Sequence, residues 1–332
     1  MNRLLSRYAE SIYWLARYVE RAENLARILD VNETFSRDSR GWQNWRSILE
    51  LYEDEERFLE EHDEADADAV IYFYTLDQRN FSSIISAINL ARGNARTLRP
   101  LISTEMWIQL NMFSNKLKSM PRDDLSEPRL TRFCSHVKEA CQTHTGITEG
   151  TFYRDESWFF YQIGRSIERA DQTTRLLDVK YHLLLPRVEA VGSPLDVSQW
   201  NAVLRSAAGY HAFRRVQPSG MTQADVSGFL LFHSRFPRSV RACIRDISDR
   251  MNQLRSSHRL SGGSKAQEEL DELCSVLDDV EIDQVIDKGM HEFIDWIQLK
   301  LSRIHGELGA AYFGYPALED EAPLAEPVPL GQ

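Results

Sequence analysis

A nineteen-residue stretch occurs twice in the chain, and this repetition constrains the fold more than any other feature of the sequence. Residues 13–31 read YWLARYVERAENLARILDV, residues 161–179 read YQIGRSIERADQTTRLLDV, and nine of the nineteen aligned positions are identical. Both copies contain the run Arg-x-x-Glu-Arg-Ala. Because similar sequences fold into similar units, the repetition predicts two related structural units.

The spacing of the apolar residues predicts that both copies are helices. From Leu5 to Leu29 these residues recur at alternating steps of three and four, the period of an amphipathic helix. Beside them runs a polar stripe with the same steps, which helical geometry places on one face about 20 Å long. The stripe, with the arginine that follows each glutamate, is called the Glu-Arg residues: Tyr13, Arg17, Glu20, Arg21 and Arg27 in the first copy, and Tyr161, Arg165, Glu168, Arg169 and Arg175 in the second.

Two interpretations of the Glu-Arg residues are open at this point. A solvated face has no reason to stay the same in two copies, so the stripe is expected to face something. If a pseudo-twofold axis brings the helices together, Glu20 and Glu168 can each pair with arginines of the other copy, and losing a partner of a buried carboxylate typically costs ~3–5 kcal/mol. Alternatively, the arginines form a pocket for a carboxylate or phosphate, which suits guanidinium geometry.

Two further segments repeat in the same order. Residues 70–88 align with 226–244, and residues 133–146 align with 293–306. The sequence therefore predicts an all-α protein, built as a tandem duplication of a roughly 150-residue helical unit and packed as one helical-bundle body. The predicted domains are a first helical unit over 1–150, a second over 151–315, and a disordered acidic, proline-rich tail over 316–332.

Local patterns give expectations for single segments. The apolar runs at 69–76 and 228–232 are predicted to be helical, although short apolar runs also suit strands. A helix is predicted over 129–145, ending before Gly146. Residues 53–68 contain ten acids and one arginine and are predicted to form a solvated loop or a frayed connection.

The distribution of charge argues against nucleic acid as a partner, and the lack of long apolar runs argues against a membrane. Segment 53–68 carries a charge of −9 and the tail a charge of −4. Since the net charge is −11, the rest of the chain carries only +2 and is nearly neutral. Nucleic-acid binding needs a basic face, so no nucleic acid is expected. No run of eighteen apolar residues is present, so no membrane is expected. Glu10, Arg17 and Glu20 interrupt any signal-peptide core, which predicts a cytoplasmic protein.

No cofactor, metal site or catalytic residue is predicted. The sequence contains no phosphate-binding loop, no His-Glu-x-x-His zinc motif and no paired Glu-x-x-His motifs for a di-iron centre. Cys134, Cys141 and His144 share a helical face but lack a fourth zinc ligand at normal spacing. Buried core thiols are the expected state of these cysteines.

A second arginine pair lies outside the repeat. The run FPRSVR places Arg238 and Arg241 one turn apart just after Pro237, where a helix is expected to start. Amide donors at a helix amino terminus together with arginines can bind an anion. Ordinary helix initiation with solvated arginines is the competing interpretation, and both stay open.

The chain resembles the bacterial alpha-E family, an all-helical domain named for its Glu-Arg motif. The resemblance extends from Ser6 to about Tyr315. The segments that carry it are SRYAESIYWLARYVERAENLARILDV (6–31), ARGNARTLRP (91–100), RDESWFFYQIGRSIERADQTTRLLDV (154–179) and FPRSVR (236–241). One departure is Phe81, which stands where the family pattern Asn-Pro-x-Ser would have proline, so a less rigid turn is expected there.

The resemblance implies a partnership more than a reaction. Members of the family are commonly linked to ATP-grasp-type ligases and transglutaminase-like proteins in peptide-synthesis or peptide-modification systems, and the family has no established catalytic residues. The leading expectation is therefore a non-catalytic helical partner or scaffold of such a ligase, whose Arg/Glu-lined groove could bind a peptide carboxylate or phosphate. The alternative is an enzyme of unknown reaction that uses Glu20 and Glu168 in an arginine-lined cleft. Neighbouring arginines lower the pKa of a carboxyl group and weaken it as a general base.

Overall fold

The chain divides into two compact helical units. The computed structural model describes residues 4–38, 45–183, 194–218, 220–257 and 260–318. All regular secondary structure in these ranges is helical, which confirms the all-α prediction. The N-terminal unit is Trp14–Tyr153, and the C-terminal unit combines Met1–Tyr13 with Arg154–Gln332. The limits assigned from sequence to the repeated units stay a prediction, and residues 319–332 of the predicted tail lie outside the described ranges.

The N-terminal unit contains most of a long first helix followed by shorter ones. In its described part the helices are α1 Ser6–Asp38, α2 Arg46–Leu51, α3 Glu55–Leu59, α4 Ala67–Thr75, α5 Ile84–Thr97, α6 Thr104–Lys118, a 3-10 turn Arg122–Leu125 and α7 Glu127–Thr151. Helix α5 packs against α6, and α6 packs against α7.

The C-terminal unit is arranged around its own long helix, α8. In its described part the helices are α8 Glu156–Leu183, α9 Pro194–Ser206, α10 Tyr210–Val216, α11 Gln223–Phe232, α12 Val240–Ser256, α13 Ser264–Asp279, α14 Ile282–Lys288, α15 Met290–Leu308 and a π-helical turn Gly309–Phe313. Helix α8 packs along α12 and α15, and α13 packs on both of these.

Two local predictions are wrong and two are confirmed. The acidic segment 53–68 contains helix α3, because Phe58 is fully buried and packs edge-on against Phe73 at 5.2 Å between ring centroids. Helix α7 continues through Gly146 to Thr151, since its packing outweighs the cost of about 1 kcal/mol for glycine inside a helix. The apolar runs at 69–76 and 228–232 lie in α4 and α11, as predicted.

The turns before α5 and α12 share one capping arrangement. The hydroxyl of Ser83 accepts a hydrogen bond from the amide of Ser86 and donates one to the carbonyl oxygen of Asp77, at 3.2 and 2.7 Å. Ser239 accepts from the amide of Ala242 and donates to the carbonyl oxygen of His233, at 3.2 and 2.7 Å. Both serines are fully buried. Each hydroxyl therefore satisfies two backbone groups that would otherwise be left unpaired.

We expect Ser83→Ala and Ser239→Ala each to lower the free energy of unfolding by about 2 kcal/mol, because each loses a helix cap and a hydrogen bond to a carbonyl oxygen. Urea denaturation followed by circular dichroism measures the effect. Ser82→Ala is the matched control, since that hydroxyl forms no hydrogen bond with the described residues. A change below about 0.5 kcal/mol in either cap variant would contradict the shared arrangement.

The start of α1 and helix α8 approach closely at Gly164. A Cβ atom built on Gly164 would overlap the carbonyl oxygen of Tyr13 and lie 3.1 Å from its carbonyl carbon. Only a residue without a side chain allows this approach, so the sequence of α8 fixes where the first turns of α1 cross it. The C-terminal unit thereby holds Tyr13, the first of the Glu-Arg residues.

Candidate functional site

Tyr13 is a buried residue of the C-terminal unit. Its hydroxyl lies 2.9 Å from Nδ1 of His305, and the two rings are parallel, with centroids 5.5 Å apart. Phe313 packs against the same tyrosine ring, 5.1 Å away between centroids. The first Glu-Arg residue is therefore part of an aromatic core, a position that helical spacing alone does not reveal.

The arginines of the first copy stack on aromatic residues of their own helix. The guanidinium carbon of Arg17 lies 4.6 Å from the ring centroid of Trp14, and that of Arg21 lies 5.9 Å from the ring of Tyr18. In both pairs the aromatic residue precedes the arginine by three positions, the spacing of neighbours on one helix face. Glu20, between these arginines in sequence, is only 3% exposed.

A row of acidic residues on α1 faces α7 within the N-terminal unit. Glu23 accepts hydrogen bonds from Arg27 Nη2 at 2.5 Å and from Gln142 Nε2 at 3.4 Å. Farther along, Lys138 Nζ lies 2.6 Å from Asp30 Oδ2, and Thr131 donates to Glu33 at 3.1 Å. This role was not predicted from the sequence for Glu23, Asp30 and Glu33, although their spacing of seven and three residues along α1 places them on one helical face.

The thiols of α7 are buried beside this acidic row. Burial raises the pKa of Cys141 well above its usual value, with Glu23 and Glu20 adding to the rise. Burial likewise raises the pKa of Cys134, with a contribution from Asp30. A thiol with a raised pKa is protonated near neutral pH and is a poor nucleophile or metal ligand. Both cysteines are therefore core residues, as the sequence predicted.

His144 is completely buried on the same helix, and burial lowers its pKa to about 4. The unfolded chain binds a proton at this histidine below pH ~6.5, whereas the folded chain does not. We therefore expect His144 to contribute to a loss of stability as the pH falls from about 6.5 to 4, by about 3 kcal/mol. Urea denaturation of the wild type and His144→Gln at pH 7 and pH 4.5 measures this difference. A pH dependence that is the same in both proteins would contradict it.

The second copy of the Glu-Arg residues lies on α8. Tyr161 and Glu168 are 1% and 0% exposed, and Gln172 Nε2 lies 3.4 Å from Glu168 Oε1. Arg165 donates to Gln162, three positions earlier, and Arg175 donates to Asp171 at 3.1 Å. Arg169 is half-buried. Arg165 and Arg175 thus contact polar partners on their own helix.

Helix α12 begins at Val240 with Ser239 as its cap, two residues later than the start predicted immediately after Pro237. Arg238 is buried, and its carbonyl oxygen accepts a hydrogen bond from Thr173 at 2.9 Å. The Nη2 atom of Arg241 lies 2.7 Å from a carboxylate oxygen of Asp278 on α13. The charge of Arg241 is therefore balanced inside the C-terminal unit.

One group of residues in the described part of the chain has the geometry to hold a cation. Asp178 on α8 and His291 and Asp295 on α15 present three ligand atoms within 4.8 Å of one another. The His291 ring lies between the carboxylates, with Nδ1 2.8 Å from Asp178 and Nε2 3.3 Å from Asp295. The hydrogen bond with Asp178 raises the pKa of His291. When it is protonated, the imidazole pairs with both carboxylates and forms an ion-pair bridge between α8 and α15.

Three comparisons with known proteins bear on identity. Curated relatives include uncharacterised proteins of Mycobacterium bovis and Mycobacterium tuberculosis, each 24% identical over 287 residues, and a second M. tuberculosis protein at 23%. The alignment covers 80% of this chain but 31% of each relative, so the chain spans less than a third of their length. No solved structure matches the chain. In the described part of the chain, no helix is long and apolar enough to cross a membrane.

The family comparison covers nearly the whole chain. A family model named Alpha-E, described as a predicted alpha-helical domain with a conserved ER motif, matches residues 4–313. The Glu-Arg dipeptides at Glu20 and Glu168 lie inside the matched range, on the two long helices α1 and α8. The chain belongs to the Alpha-E family.

Proposed function

We propose that this chain is a non-catalytic helical partner, a scaffold for an ATP-grasp-type ligase that synthesises or modifies peptides in the cytoplasm, alongside a transglutaminase-like protein. The observation that carries this proposal is the burial of the two Glu-Arg glutamates, 3% exposed at Glu20 and 0% at Glu168. A general acid or base must reach its substrate, and a carboxylate enclosed by its own fold is better suited to holding helices in place.

The arginines support the same conclusion. Arg17 and Arg21 stack on aromatic rings, while Arg165 and Arg175 donate to side chains of α8. Each guanidinium therefore already has a partner on its own helix. An Arg/Glu-lined groove that binds a peptide carboxylate or phosphate remains part of the proposal, since a guanidinium stacked on a ring keeps donors at its edge for a ligand.

We also propose that the two units arose by tandem duplication. Helices α4 and α5 begin at residues 67 and 84, and α11 and α12 begin 156 residues later, at 223 and 240. The matched serine caps before α5 and α12 form the same hydrogen bonds. Agreement in helix order, spacing and capping is the outcome expected of two copies of one unit.

The length of the relatives fits a partner role. This chain corresponds to 31% of each mycobacterial relative, so in those proteins the matching region is joined to a longer polypeptide. A helical domain that acts together with other domains can be fused to them or encoded separately.

Co-purification tests the proposal. The tagged chain is isolated from its own cells, and the proteins recovered with it are identified and quantified by mass spectrometry. We expect an ATP-grasp-type ligase in a fixed molar ratio, retained through gel filtration, and absent when the same tag is carried by an unrelated helical protein. A chain that elutes alone, and that does not bind the purified ligase of its own organism, would contradict the scaffold role.

A further inference from the structure

The surface of α5 and the turn after it carries three arginines for which the described residues provide no acidic partner. Arg92 and Arg96 lie one turn apart on the same side of α5, and Arg99 lies in the turn that follows the helix, two residues after Thr97. Arg96 and Arg99 are exposed and Arg92 is half-buried. Among the residues that the structure describes, none of the three forms an ion pair with a carboxylate, unlike Arg27, Arg79 and Arg241.

Trp107 on α6 orients two of these arginines. The guanidinium carbons of Arg92 and Arg99 lie 5.7 and 5.1 Å from the centroid of its ring, and Arg92 Nε donates to Asn111 Oδ1 at 2.8 Å. Stacking on an aromatic ring restricts a guanidinium while leaving its edge donors available. The three arginines and Trp107 form what we call the arginine–tryptophan patch.

The corresponding helix pair of the C-terminal unit is joined by different residues at these positions. Arg92 stands nine residues after the cap Ser83, and Ser248 stands nine residues after the cap Ser239. Trp107 and Gln267 each stand four residues after the cap of the following helix. In the C-terminal unit Gln267 Nε2 simply donates to Ser248 Oγ at 3.1 Å. A neutral pair joins α12 to α13 at these positions, whereas the corresponding positions of α5 and α6 hold an arginine and a tryptophan.

We propose that the arginine–tryptophan patch is a docking site for an acidic peptide segment of a partner protein. The three guanidinium groups place three positive charges on one surface, where the described residues offer no carboxylate partner. The carboxylates of an acidic peptide segment supply charges of the opposite sign and accept hydrogen bonds from the free edges of stacked guanidinium groups. The net charge of −11 disfavours a long polyanion such as nucleic acid, since segment 53–68 alone carries −9 and the rest of the body is nearly neutral rather than basic. The site does not require the partner to be a ligase.

Fluorescence anisotropy with the full-length chain tests the proposal. The probe is a labelled peptide in which glutamate alternates with serine or glycine, and its comparison peptide has glutamine at each glutamate. The test variant is Arg92→Gln/Arg96→Gln/Arg99→Gln, with Arg96→Gln/Arg99→Gln as a milder form that keeps the Asn111 hydrogen bond. The matched control is Arg214→Gln/Arg215→Gln/Arg235→Gln, which removes three exposed arginines of the C-terminal unit.

We expect the wild type to bind the acidic peptide and not its glutamine version, with affinity falling as salt increases. The patch variant should lose at least about tenfold in affinity, whereas the control should lose less than about twofold. Equal losses in both variants would overturn the proposal, because they would report general charge attraction. Absence of peptide binding by the wild type at low salt would also overturn it. Tighter binding of a labelled oligothymidine, lost in the patch variant, would assign the patch to nucleic acid instead.

Discussion

Gly164→Ala is expected to lower the free energy of unfolding of the C-terminal unit by about 3 kcal/mol, among the largest effects expected of any single substitution in this protein. The added methyl group would collide with the main chain of Tyr13, and a backbone atom cannot move aside as the end of a flexible side chain can. Separating the first turns of α1 from α8 would also disturb the packing of Tyr13 against His305 and Phe313.

Gly146→Ala is the control for this prediction. Gly146 is an exposed residue inside α7, and a Cβ atom there meets nothing within 4 Å. Alanine is the better helix former by about 1 kcal/mol, so this variant should be slightly more stable than the wild type. Urea denaturation curves of the three proteins give the comparison. If Gly164→Ala were as stable as the wild type, α1 and α8 would not approach each other as the structure shows.

Replacing both carboxylates around Lys300 should be comparably severe. Lys300 is 2% exposed, and its Nζ atom lies 2.6 Å from Glu269 and 2.7 Å from Glu272, both on α13. In Glu269→Gln/Glu272→Gln the ammonium group stays in the core without a counter-charge, which typically costs about 3–5 kcal/mol. The same charge change at two exposed sites, Glu268→Gln/Asp287→Asn, should have little effect.

A third substitution makes this prediction specific to the buried charge. Adding Lys300→Met to the double variant removes the unpaired ammonium and keeps the length of the side chain, so most of the lost stability should return. Thermal unfolding followed by circular dichroism would measure the three variants together. A triple variant as unstable as the double variant would show that the glutamates act through something other than Lys300.

Features with a local cause could be predicted from the sequence. The apolar runs in α4 and α11 were correctly predicted to be helical, although short apolar runs also suit strands, and the repeated Glu-Arg helices followed from periodicity. The stacking of Arg17 on Trp14 could also have been predicted, because residues three apart on a helix are neighbours. The prediction of a loop over 53–68 was wrong because it rested on the acidic composition of the whole segment. A single apolar residue, Phe58, is buried and folds this part of the chain inward.

Features that depend on distant residues could not be predicted. No local pattern indicates that Tyr13 meets His305, almost three hundred positions later, or that Lys300 lies between two glutamates of α13. The end of α7 was misplaced for the same reason, since glycine weakens a helix locally, whereas the contacts of α7 with α1 and α6 come from residues distant in sequence. The burial of the Glu-Arg glutamates could not be predicted either. Helical spacing shows which residues share a face of the helix, but not which other residues cover that face.

The role of Glu20 and Glu168 is tested most directly by measuring melting temperature and ligase capture together in Glu20→Gln and Glu168→Gln. Glu139→Gln, at an exposed position of α7, is the control. If the glutamates hold the helices in place, both variants melt several degrees lower, in line with about 3–5 kcal/mol lost when a buried charge pair is broken. The fraction that remains folded should still capture the proposed ATP-grasp-type partner to the same extent as the wild type. Unchanged melting together with lost capture or lost activity would contradict this account and identify the Glu-Arg residues as a binding or catalytic surface.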